Sequence, residues 1–354
     1  MSEYVGRVGD EAGVERAPGS VVPVTMRAVV RHEYGTADVL VVDEVPVPRP
    51  GRGEVLVRVD AAGLDRGAWH LMAGDPPAVR LALGLRRPRD PGVGSELAGV
   101  VVAIGPGDRS GLRIGDVVLG AGLATFAEYA IAKTTALCRR PSDLDAVAAA
   151  ALPVSAVTAH QAVVDIARVT DGQRVLVIGA AGGVGAYAVQ FAASCGAVVT
   201  AVSRRDKHAA VRDLGASAVV DRERVDPRDW GVHDVVIDIG GRRPLAQLGR
   251  LVARAGALVL VGGEGGRGPL GGTSRQVGAA LRSPFLPFRA RMFVSTVTTR
   301  ALAPVVEAVA DGRVRPVVDR VVGLGDVASG VSALEAGSLV GKVVVVPDAP
   351  TETA

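Results

Sequence analysis

The feature that most constrains the fold is an apolar run followed by a glycine-rich turn, within residues 174–186. Val175–Ile178 has no polar break, which is typical of a strand buried on both faces. The small residues at 179–185 supply a turn, and helical apolar spacing follows at 187–194, before Gly196. A strand, a glycine turn and a helix direct backbone N–H groups and the positive helix end at a pyrophosphate. The pattern predicts a dinucleotide site.

The glycine pattern departs from the usual fingerprint at its first position. It reads Ala180-x-Gly182-x-x-Gly185, with alanine where the first glycine is usual, and the alternative is a plain connecting turn. A second apolar run, Ala197–Val202, follows where the next parallel strand of a dinucleotide fold is expected. The residues expected to cradle the phosphates are Ala180, Gly182, Gly183, Val184 and Gly185.

The residues after this second run bear on which dinucleotide binds. A site selective for NAD carries a carboxylate there, which accepts from the ribose 2′-hydroxyl and repels a 2′-phosphate. This chain has Ser203-Arg204-Arg205-Asp206-Lys207, and a hydroxyl with guanidinium groups suits a phosphate. We expect NADPH rather than NADH, bound by Ser203, Arg204 and Lys207. The alternative is a solvated charged turn in which Asp206 is the acidic partner.

The order of strand and helix patterns predicts two domains. A chain of 354 residues is long enough for both. Residues 26–149 show short strand patterns separated by proline and glycine, the middle of the chain alternates strands and helices, and residues 314–347 return to a β-rich pattern. A β-rich part joined to an alternating part implies an α/β protein with a cleft between two domains.

Composition excludes several classes of protein. Two cysteines, Cys138 and Cys195, cannot form a disulfide framework or a four-cysteine zinc site. The net charge of +3 is small and interspersed, which argues neither for nor against a nucleic-acid partner, and we expect none. No apolar stretch reaches the roughly 18 residues of a membrane span, and residues 1–25 lack the apolar core of a signal peptide. We expect a cytoplasmic protein with flexible tails at 1–25 and 348–354.

Several short motifs together point to one family. In chain order they are Ala61–Asp65 with Trp69-His70, Gly94–Val100, Ile114–Asp116, Phe126–Tyr129, Ser155–Ala159, the glycine turn and Gly341–Val345. In this order they resemble the zinc-free branch of the medium-chain dehydrogenase/reductases, the quinone oxidoreductase-like proteins. The resemblance covers residues 26–347. It implies a GroES-like catalytic domain from 26–151 and 301–347, and a Rossmann NAD(P)-binding domain at 152–300.

The resemblance also bears on metal and substrate. Where zinc-dependent relatives carry a cysteine and a histidine, this chain has Asp65 and Ser95. Catalytic zinc prefers nitrogen and sulfur ligands, so we expect no zinc. Without a Lewis acid, acceptors that spread the developing charge themselves are favoured. The expected function is NADPH-dependent reduction of a quinone or an α,β-unsaturated carbonyl. Two alternatives stay open: a zinc-independent alcohol/aldehyde oxidoreductase, and a non-catalytic NADPH-binding regulatory protein.

Two catalytic residues are implied by the resemblance. Relatives carry asparagine at the position of Asp65, and a carboxylate cannot donate to an oxyanion unless it is protonated or paired with Arg66. His70 could donate or shuttle a proton, and the alternative is packing beside Trp69.

Further cofactor contacts are also implied. Thr158 matches a threonine near the nicotinamide, with a helix cap as its alternative. Gly262 and Gly263 follow a predicted strand, and Arg222 stands near the adenosine end. Lys342 reaches a cofactor phosphate or lies exposed. The glycine-rich and basic segment 262–287 is predicted to be a substrate lid or a subunit contact, and a homodimer is expected.

Overall fold

The computed structural model describes residues 15–16, 22–264 and 271–347. Of the predicted tails at 1–25 and 348–354, residues 1–14, 17–21 and 348–354 lie outside the described residues, as do residues 265–270 of the predicted lid. Within the predicted N-terminal tail, Glu15–Arg16 form a short strand and Thr25 begins another. Contacts divide the chain into two compact units. The first unit is Met1–Val154, Val297–Glu307 and Val318–Ala354, and the second is Ser155–Thr296 and Ala308–Val317. The assignment of a catalytic and a cofactor-binding domain to the predicted ranges stays a prediction.

Strands are present in both units. They are β1 (Glu15–Arg16), β2 (Thr25–Val30), β3 (Val41–Pro46), β4 (Glu54–Leu64), β5 (Glu96–Ile104), β6 (Val117–Ala121), β7 (Tyr129–Lys133), β8 (Leu137–Arg139), β9 (Arg174–Ile178), β10 (Val198–Ser203), β11 (Ala218–Asp221), β12 (His233–Asp238), β13 (Val252–Leu260), β14 (Arg289–Met292), β15 (Val318–Val322) and β16 (Lys342–Val345).

Ten α-helices lie in the described part of the chain. They are α1 (Arg66–Ala73), α2 (Arg80–Leu83), α3 (Ala146–Ala150), α4 (Ser155–His160), α5 (Gly183–Ser194), α6 (His208–Asp213), α7 (Leu245–Gly249), α8 (Thr273–Arg282), α9 (Thr299–Ala310) and α10 (Val327–Ala336). A π-helical segment, Gln161–Ala167, continues α4. Short 3₁₀ turns lie at Ala37–Val39, Pro77–Val79, Thr134–Ala136, Arg205–Lys207, Pro227–Asp229, Ser283–Phe285 and Leu324–Asp326. Within the described ranges, no helix is long and apolar enough to cross a membrane.

The first unit is built on an eight-stranded sheet. Its main path is β15-β16-β4-β5-β6-β8, with β1 on β5 and β7 on β4, while β2 and β3 form a separate antiparallel pair. The central strand β4 pairs antiparallel with β5, β7 and β16. Its side chains are almost all buried because it is covered on both faces. The C-terminal strand β16 therefore lies in the interior of the sheet, next to β4.

The second unit contains a six-stranded parallel sheet. Its strand order is β11-β10-β9-β12-β13-β14, and every neighbouring pair is parallel. Numbered from β9 this is the order 3-2-1-4-5-6 of the Rossmann dinucleotide fold. The uninterrupted apolar runs that predicted β9 and β12 are explained by burial on both faces of such a sheet. The predicted α/β fold class is confirmed.

Two sequence predictions differ from the structure. Residues 314–347 are not uniformly β-rich, because α10 occupies ten of them. Its small and apolar residues Val327, Gly330 and Val331 are buried at helical spacing, a period that strand propensity alone does not reveal. Helix α5 also begins at Gly183, four residues before the predicted start, because Gly182 takes the N-cap position with extended backbone angles.

Candidate functional site

The glycine turn joins β9 to α5 at the carboxyl edge of the parallel sheet. Gly179 has a φ of +87°, and its N–H and that of Ala180 both donate to the Val202 carbonyl, each at 3.2 Å. A Cβ on Gly185 would lie 2.1 Å from the Gly179 oxygen, so only glycine allows the helix to pack this closely on the turn. The turn thus has two positions that require glycine.

This geometry corrects the role predicted for Ala180. The backbone conformation that glycine favours occurs at Gly179, one residue earlier, and Ala180 is completely buried. An alanine is therefore tolerated where the fingerprint has its first glycine. The adjacent Gly179, which the sequence analysis placed in the turn without a role of its own, takes that conformation.

The start of α5 is open enough to receive an anion. Gly182 is exposed, and Gly183 and Val184 are partly exposed. A Cβ on Gly182 would meet only the Gly179 oxygen, at 3.6 Å, so the absence of a side chain there serves no packing need within the chain. The first N–H groups of an α-helix lack intrahelical acceptors and carry partial positive charge. These residues can hold a pyrophosphate.

The predicted 2′-phosphate residues follow β10 and β11. Ser203 is buried, and its carbonyl accepts from the Arg222 N–H at 3.0 Å, so the two strand ends are tied together. Arg204 donates from Nε and Nη2 to the two carboxylate oxygens of Asp206, at 3.1 and 2.9 Å. Asp206 is thus the acidic partner named in the alternative of a solvated charged turn. Lys207 is only 6% exposed.

The carboxyl ends of β12 and β13 are joined by a buried ion pair that the sequence analysis missed. Asp238 is fully buried; its Oδ2 lies 2.5 Å from Arg275 Nη1, and its Oδ1 accepts from the Gly241 N–H at 3.3 Å. Arg275 also donates to the carbonyls of Arg243 (2.9 Å) and Gly262 (2.8 Å). Burial raises the pKa of Asp238, and Arg275 opposes that shift. The sequence signal available for this pair was Asp238, a single acidic residue at the end of a buried strand.

These contacts bear on the predicted lid segment. Arg275 and Gln276 lie on α8, and Gln276 Nε2 donates to the carbonyls of Val261 and Gly262, at 3.5 and 3.3 Å. The described part of the segment therefore holds the turn after β13 in place. Gly262 and Gly263, predicted to face the cofactor, follow β13 and are partly exposed.

Thr158 is nearly buried and is the fourth residue of α4. Its alternative role as a helix cap is therefore wrong, because a cap flanks the first turn. The predicted nicotinamide contact stays a prediction.

In the first unit, Asp65 caps a helix. Its Oδ1 accepts from the Ala68 N–H at 2.9 Å at the start of α1, and its Oδ2 accepts from Ser95 Oγ at 2.8 Å. The side chain is 6% exposed. Arg66, its suggested partner, donates to the Leu334 carbonyl and lies over the Trp69 ring. Asp65 accepts hydrogen bonds with both oxygens, which does not favour a donor role, and its catalytic assignment stays a prediction.

Beside it lies a buried ion pair between Glu96 and Lys342. Lys342, predicted to reach a phosphate or to lie exposed, is 1% exposed instead, and its ammonium donates to Glu96 Oε1. The exposed alternative is wrong because β16 lies inside the sheet, where a charge requires a partner. Glu96 Oε2 accepts from the Val154 N–H at 2.8 Å. Burial raises the pKa of Glu96 to about 7, Lys342 opposes that shift, and the charge of Asp65 adds to it.

His70 lies on α1 with its ring edge-on to Trp69, the centroids 5.0 Å apart. Its Nδ1 is 2.9 Å from the Asp75 carbonyl oxygen, which can only accept. Nδ1 therefore carries the proton, and in the neutral ring Nε2 is an acceptor. His70 can donate from Nε2 only as an imidazolium.

The residues at the positions of zinc ligands do not fit zinc. The Asp65 carboxylate is already used by Ala68 and Ser95, Ser95 offers a hydroxyl where zinc-dependent relatives have histidine, and Glu96 neutralises Lys342. Zinc sites use nitrogen and sulfur ligands with at most a carboxylate or two. Across residues 22–264 and 271–347, no three His, Cys, Asp or Glu side chains cluster as metal ligands would.

Comparison with known proteins covers most of the chain. Residues 51–203 match the alcohol dehydrogenase GroES-like domain, and residues 214–345 match the zinc-binding dehydrogenase family. A chloroplast quinone oxidoreductase of Triphysaria versicolor is 35% identical over 55% of this chain. The chain spans 61% of that relative's length.

Two longer matches extend the comparison. An alcohol dehydrogenase of Rhizobium meliloti is 31% identical over 68% of this chain and 77% of its own. A 2-methylene-furan-3-one reductase of Solanum lycopersicum is 29% identical over 95% of this chain and 83% of its own.

Solved structures share the fold. A quinone oxidoreductase of Coxiella burnetii superposes with a TM-score of 0.79 at 24% identity, over 91% of this chain and 99% of its own, which shows the fold alone. A mycobacterial protein in complex with NADPH has a TM-score of 0.77 at 26% identity, over 91% of this chain and 100% of its own. The dehydrogenase match and this neighbour support a nicotinamide cofactor. The predicted resemblance is confirmed: the chain belongs to the medium-chain dehydrogenase/reductase family and is quinone oxidoreductase-like.

Proposed function

We propose that this protein is an NADPH-dependent, metal-free oxidoreductase that transfers hydride to a quinone or an α,β-unsaturated carbonyl. The observation that carries the proposal is a pair of features, one in each unit. The second unit has a glycine turn and an open helix start, followed by basic residues at the strand ends. In the first unit, the residues at the zinc-ligand positions are an acid and a hydroxyl that bond to each other.

The cofactor would be held by the second unit. The helix start at Gly182–Gly185 would receive the pyrophosphate, the residues after β10 and β11 would face the adenosine end, and Gly262 and Gly263 after β13 would face the nicotinamide end. When bound, the reduced nicotinamide supplies the hydride. The Arg275–Asp238 pair then has a positioning role, since it holds the turn after β13 at a fixed spacing from the end of β12.

The choice of acceptor follows from how charge develops. Hydride added to a simple ketone leaves an alkoxide, which a Lewis acid usually stabilises. Hydride added to a quinone or to the β carbon of an enone leaves a charge delocalised by the acceptor itself. Hydrogen bonds from the protein then suffice to lower the barrier further. The names of the chloroplast quinone oxidoreductase and the tomato reductase support this class of acceptor.

Among the first-unit candidates, His70 is the residue proposed to move a proton. Its Nδ1–H is engaged by the Asp75 carbonyl, so proton transfer would occur at Nε2, with the imidazolium as donor. Asp65 is proposed as a positioning residue, which fixes the start of α1, and hence His70, through its cap. A homodimer and a cytoplasmic location are also proposed, as the sequence predicts.

The proposal is tested with a small acceptor panel. NADPH and NADH oxidation would be followed with 1,4-benzoquinone, 9,10-phenanthrenequinone, a simple enone and an aldehyde, before and after exhaustive treatment with EDTA. We expect NADPH oxidation with the quinones or the enone, no aldehyde turnover and no effect of EDTA.

Each alternative function predicts another pattern. Aldehyde turnover alone would favour the alcohol/aldehyde oxidoreductase. Tight NADPH binding with no turnover of any acceptor would favour the regulatory protein. Activity lost with EDTA and restored by zinc would overturn the metal-free proposal.

A further inference from the structure

Arg243 is a cation of the second unit that the sequence analysis did not consider. It follows β12, and its guanidinium carbon lies over the Trp230 ring, 4.2 Å from the ring centroid. Trp230 is 3% exposed and donates from Nε1 to the Val225 carbonyl at 3.1 Å, so its ring is fixed. The backbone of Arg243 is held as well, because its carbonyl accepts from Arg275. Both ends of the Arg243 side chain are therefore restrained.

A second guanidinium lies within electrostatic reach of Arg243. Burial lowers the pKa of Arg243, Asp238 opposes this, and the positive charge of Arg222 lowers it further. Arg222 follows β11, and its N–H donates to the Ser203 carbonyl at the end of β10. Because all three strands are parallel, these residues share the carboxyl edge of the sheet. Two cations that follow strands of one sheet at the same edge favour binding of an anion at that edge.

The charge partners of the arginines differ. The Arg204 guanidinium is matched by both oxygens of Asp206, which a phosphate would have to displace. Arg222 lies 3.5 Å from Glu223, with both side chains at least half exposed. Among the residues that the structure describes, no acidic side chain lies within ion-pair distance of Arg243. A guanidinium stacked through its face keeps its N–H edge for a planar or tetrahedral anion.

We propose that Arg243, together with Arg222, is a determinant of specificity for the 2′-phosphate of NADPH, and that Arg204 is secondary. The inference rests on the proposed NADPH function and deepens it. It assigns the phosphate to a cation that is stacked on an indole and that has no carboxylate within ion-pair distance among the described residues. The structure supplies a matched control at the adjacent Arg242, which is exposed.

The test measures binding without turnover. Isothermal titration calorimetry of the full chain would compare 2′,5′-ADP with 5′-AMP, which differ only in the 2′-phosphate. The variants are Arg243→Met, Arg242→Met and Arg204→Met; methionine keeps an aliphatic stem that can pack on Trp230. Losing one charge-assisted contact weakens binding roughly 10- to 150-fold. We expect a loss of that size in the 2′,5′-ADP preference for Arg243→Met, a smaller one for Arg204→Met, and about 2-fold or less for Arg242→Met.

The possible outcomes distinguish a failure of this inference from a failure of the proposed NADPH function. If the wild-type protein prefers 2′,5′-ADP and Arg243→Met keeps this preference as fully as Arg242→Met does, the role of Arg243 is overturned and NADPH specificity stands. A wild-type protein with no preference overturns NADPH specificity and this inference together. If Arg243→Met does not fold, Arg243→Gln replaces it. Glutamine keeps a polar side chain but carries no charge, so a preserved preference for 2′,5′-ADP in that variant would equally refute the inference.

Discussion

Replacing Arg275 with methionine should destabilise the second unit severely, because it leaves the Asp238 carboxylate fully buried and unpaired. Arg275 is 13% exposed at its side chain and Asp238 is not exposed at all. Removing one partner of a buried ion pair typically costs about 3–5 kcal/mol. The variant also loses the bonds to the Arg243 and Gly262 carbonyls, each of which contributes about 1 kcal/mol.

A second substitution should recover part of this loss. In Arg275→Met with Asp238→Asn the buried charge is gone, and the amide oxygen can still accept from the Gly241 N–H. We expect the second substitution to recover roughly half of the unfolding free energy that Arg275→Met loses, because the contacts to the two carbonyls stay lost. The matched control is Arg174→Met, which breaks an exposed ion pair with Asp234 in the same unit and should change stability far less.

The single variant should also depend on pH in a defined direction. Burial already raises the pKa of Asp238, and without Arg275 it rises further. A carboxyl whose pKa is higher in the folded than in the unfolded state stabilises the fold below the unfolded pKa, and that stability is lost as pH rises through the folded pKa. The deficit of Arg275→Met should therefore be smaller at pH 5 than at pH 8.

The assay is urea unfolding followed by Trp230 fluorescence in a Trp69→Phe background. The chain has two tryptophans, and Trp230 belongs to the second unit. This matters because a chain with two units need not unfold in one step. A loss below about 1 kcal/mol for Arg275→Met, or no recovery in the double variant, would refute the reasoning about the buried pair.

Three further predictions concern the other parts of the site. Gly185→Ala should abolish nicotinamide cofactor binding and lower the melting temperature, because the new Cβ would lie 2.1 Å from the Gly179 oxygen. The control Gly182→Ala should fold normally. Equal melting temperatures of the two variants would contradict this prediction. The first unit should lose stability from pH 5 to pH 8 because burial raises the pKa of Glu96 to about 7. Glu96→Gln should flatten this dependence of the free energy of unfolding on pH. An equally steep dependence in the variant would show that another group titrates. In thermal unfolding, Asp65→Asn should keep the α1 cap and change stability little, whereas Asp65→Ala should lower the free energy of unfolding by about 1 kcal/mol. Equal losses of stability in the two variants would argue against the cap.

The parallel sheet was predictable from the sequence because its strands are buried on both faces. Such strands give uninterrupted apolar runs, and the glycine turn marks where the first of them ends. Helix α10 was missed because the valines of its buried face favour strands by propensity, although Val327, Gly330 and Val331 lie at helical spacing. Local patterns identify elements well where propensity and period agree, and poorly where they disagree.

The glycine turn and helix start proposed to hold the pyrophosphate were predictable for a related reason: they are made by backbone within a few consecutive residues. The ion pairs were not, since Glu96 and Lys342 are 246 positions apart and Asp238 and Arg275 are 37 apart. A contact between distant positions depends on tertiary packing, which a single sequence does not display. The same limit hid the stacking of Arg243 on Trp230.

The most direct test of the account follows the hydride itself. NADPH stereospecifically deuterated at C4 of the nicotinamide would be incubated with an enone and the EDTA-treated protein, and the product analysed by mass spectrometry and NMR. The account predicts one deuterium at the β carbon from one of the two labelled C4 epimers, with the α hydrogen derived from solvent. Product without deuterium from either epimer, or deuterium transfer only after zinc is added back, would contradict it.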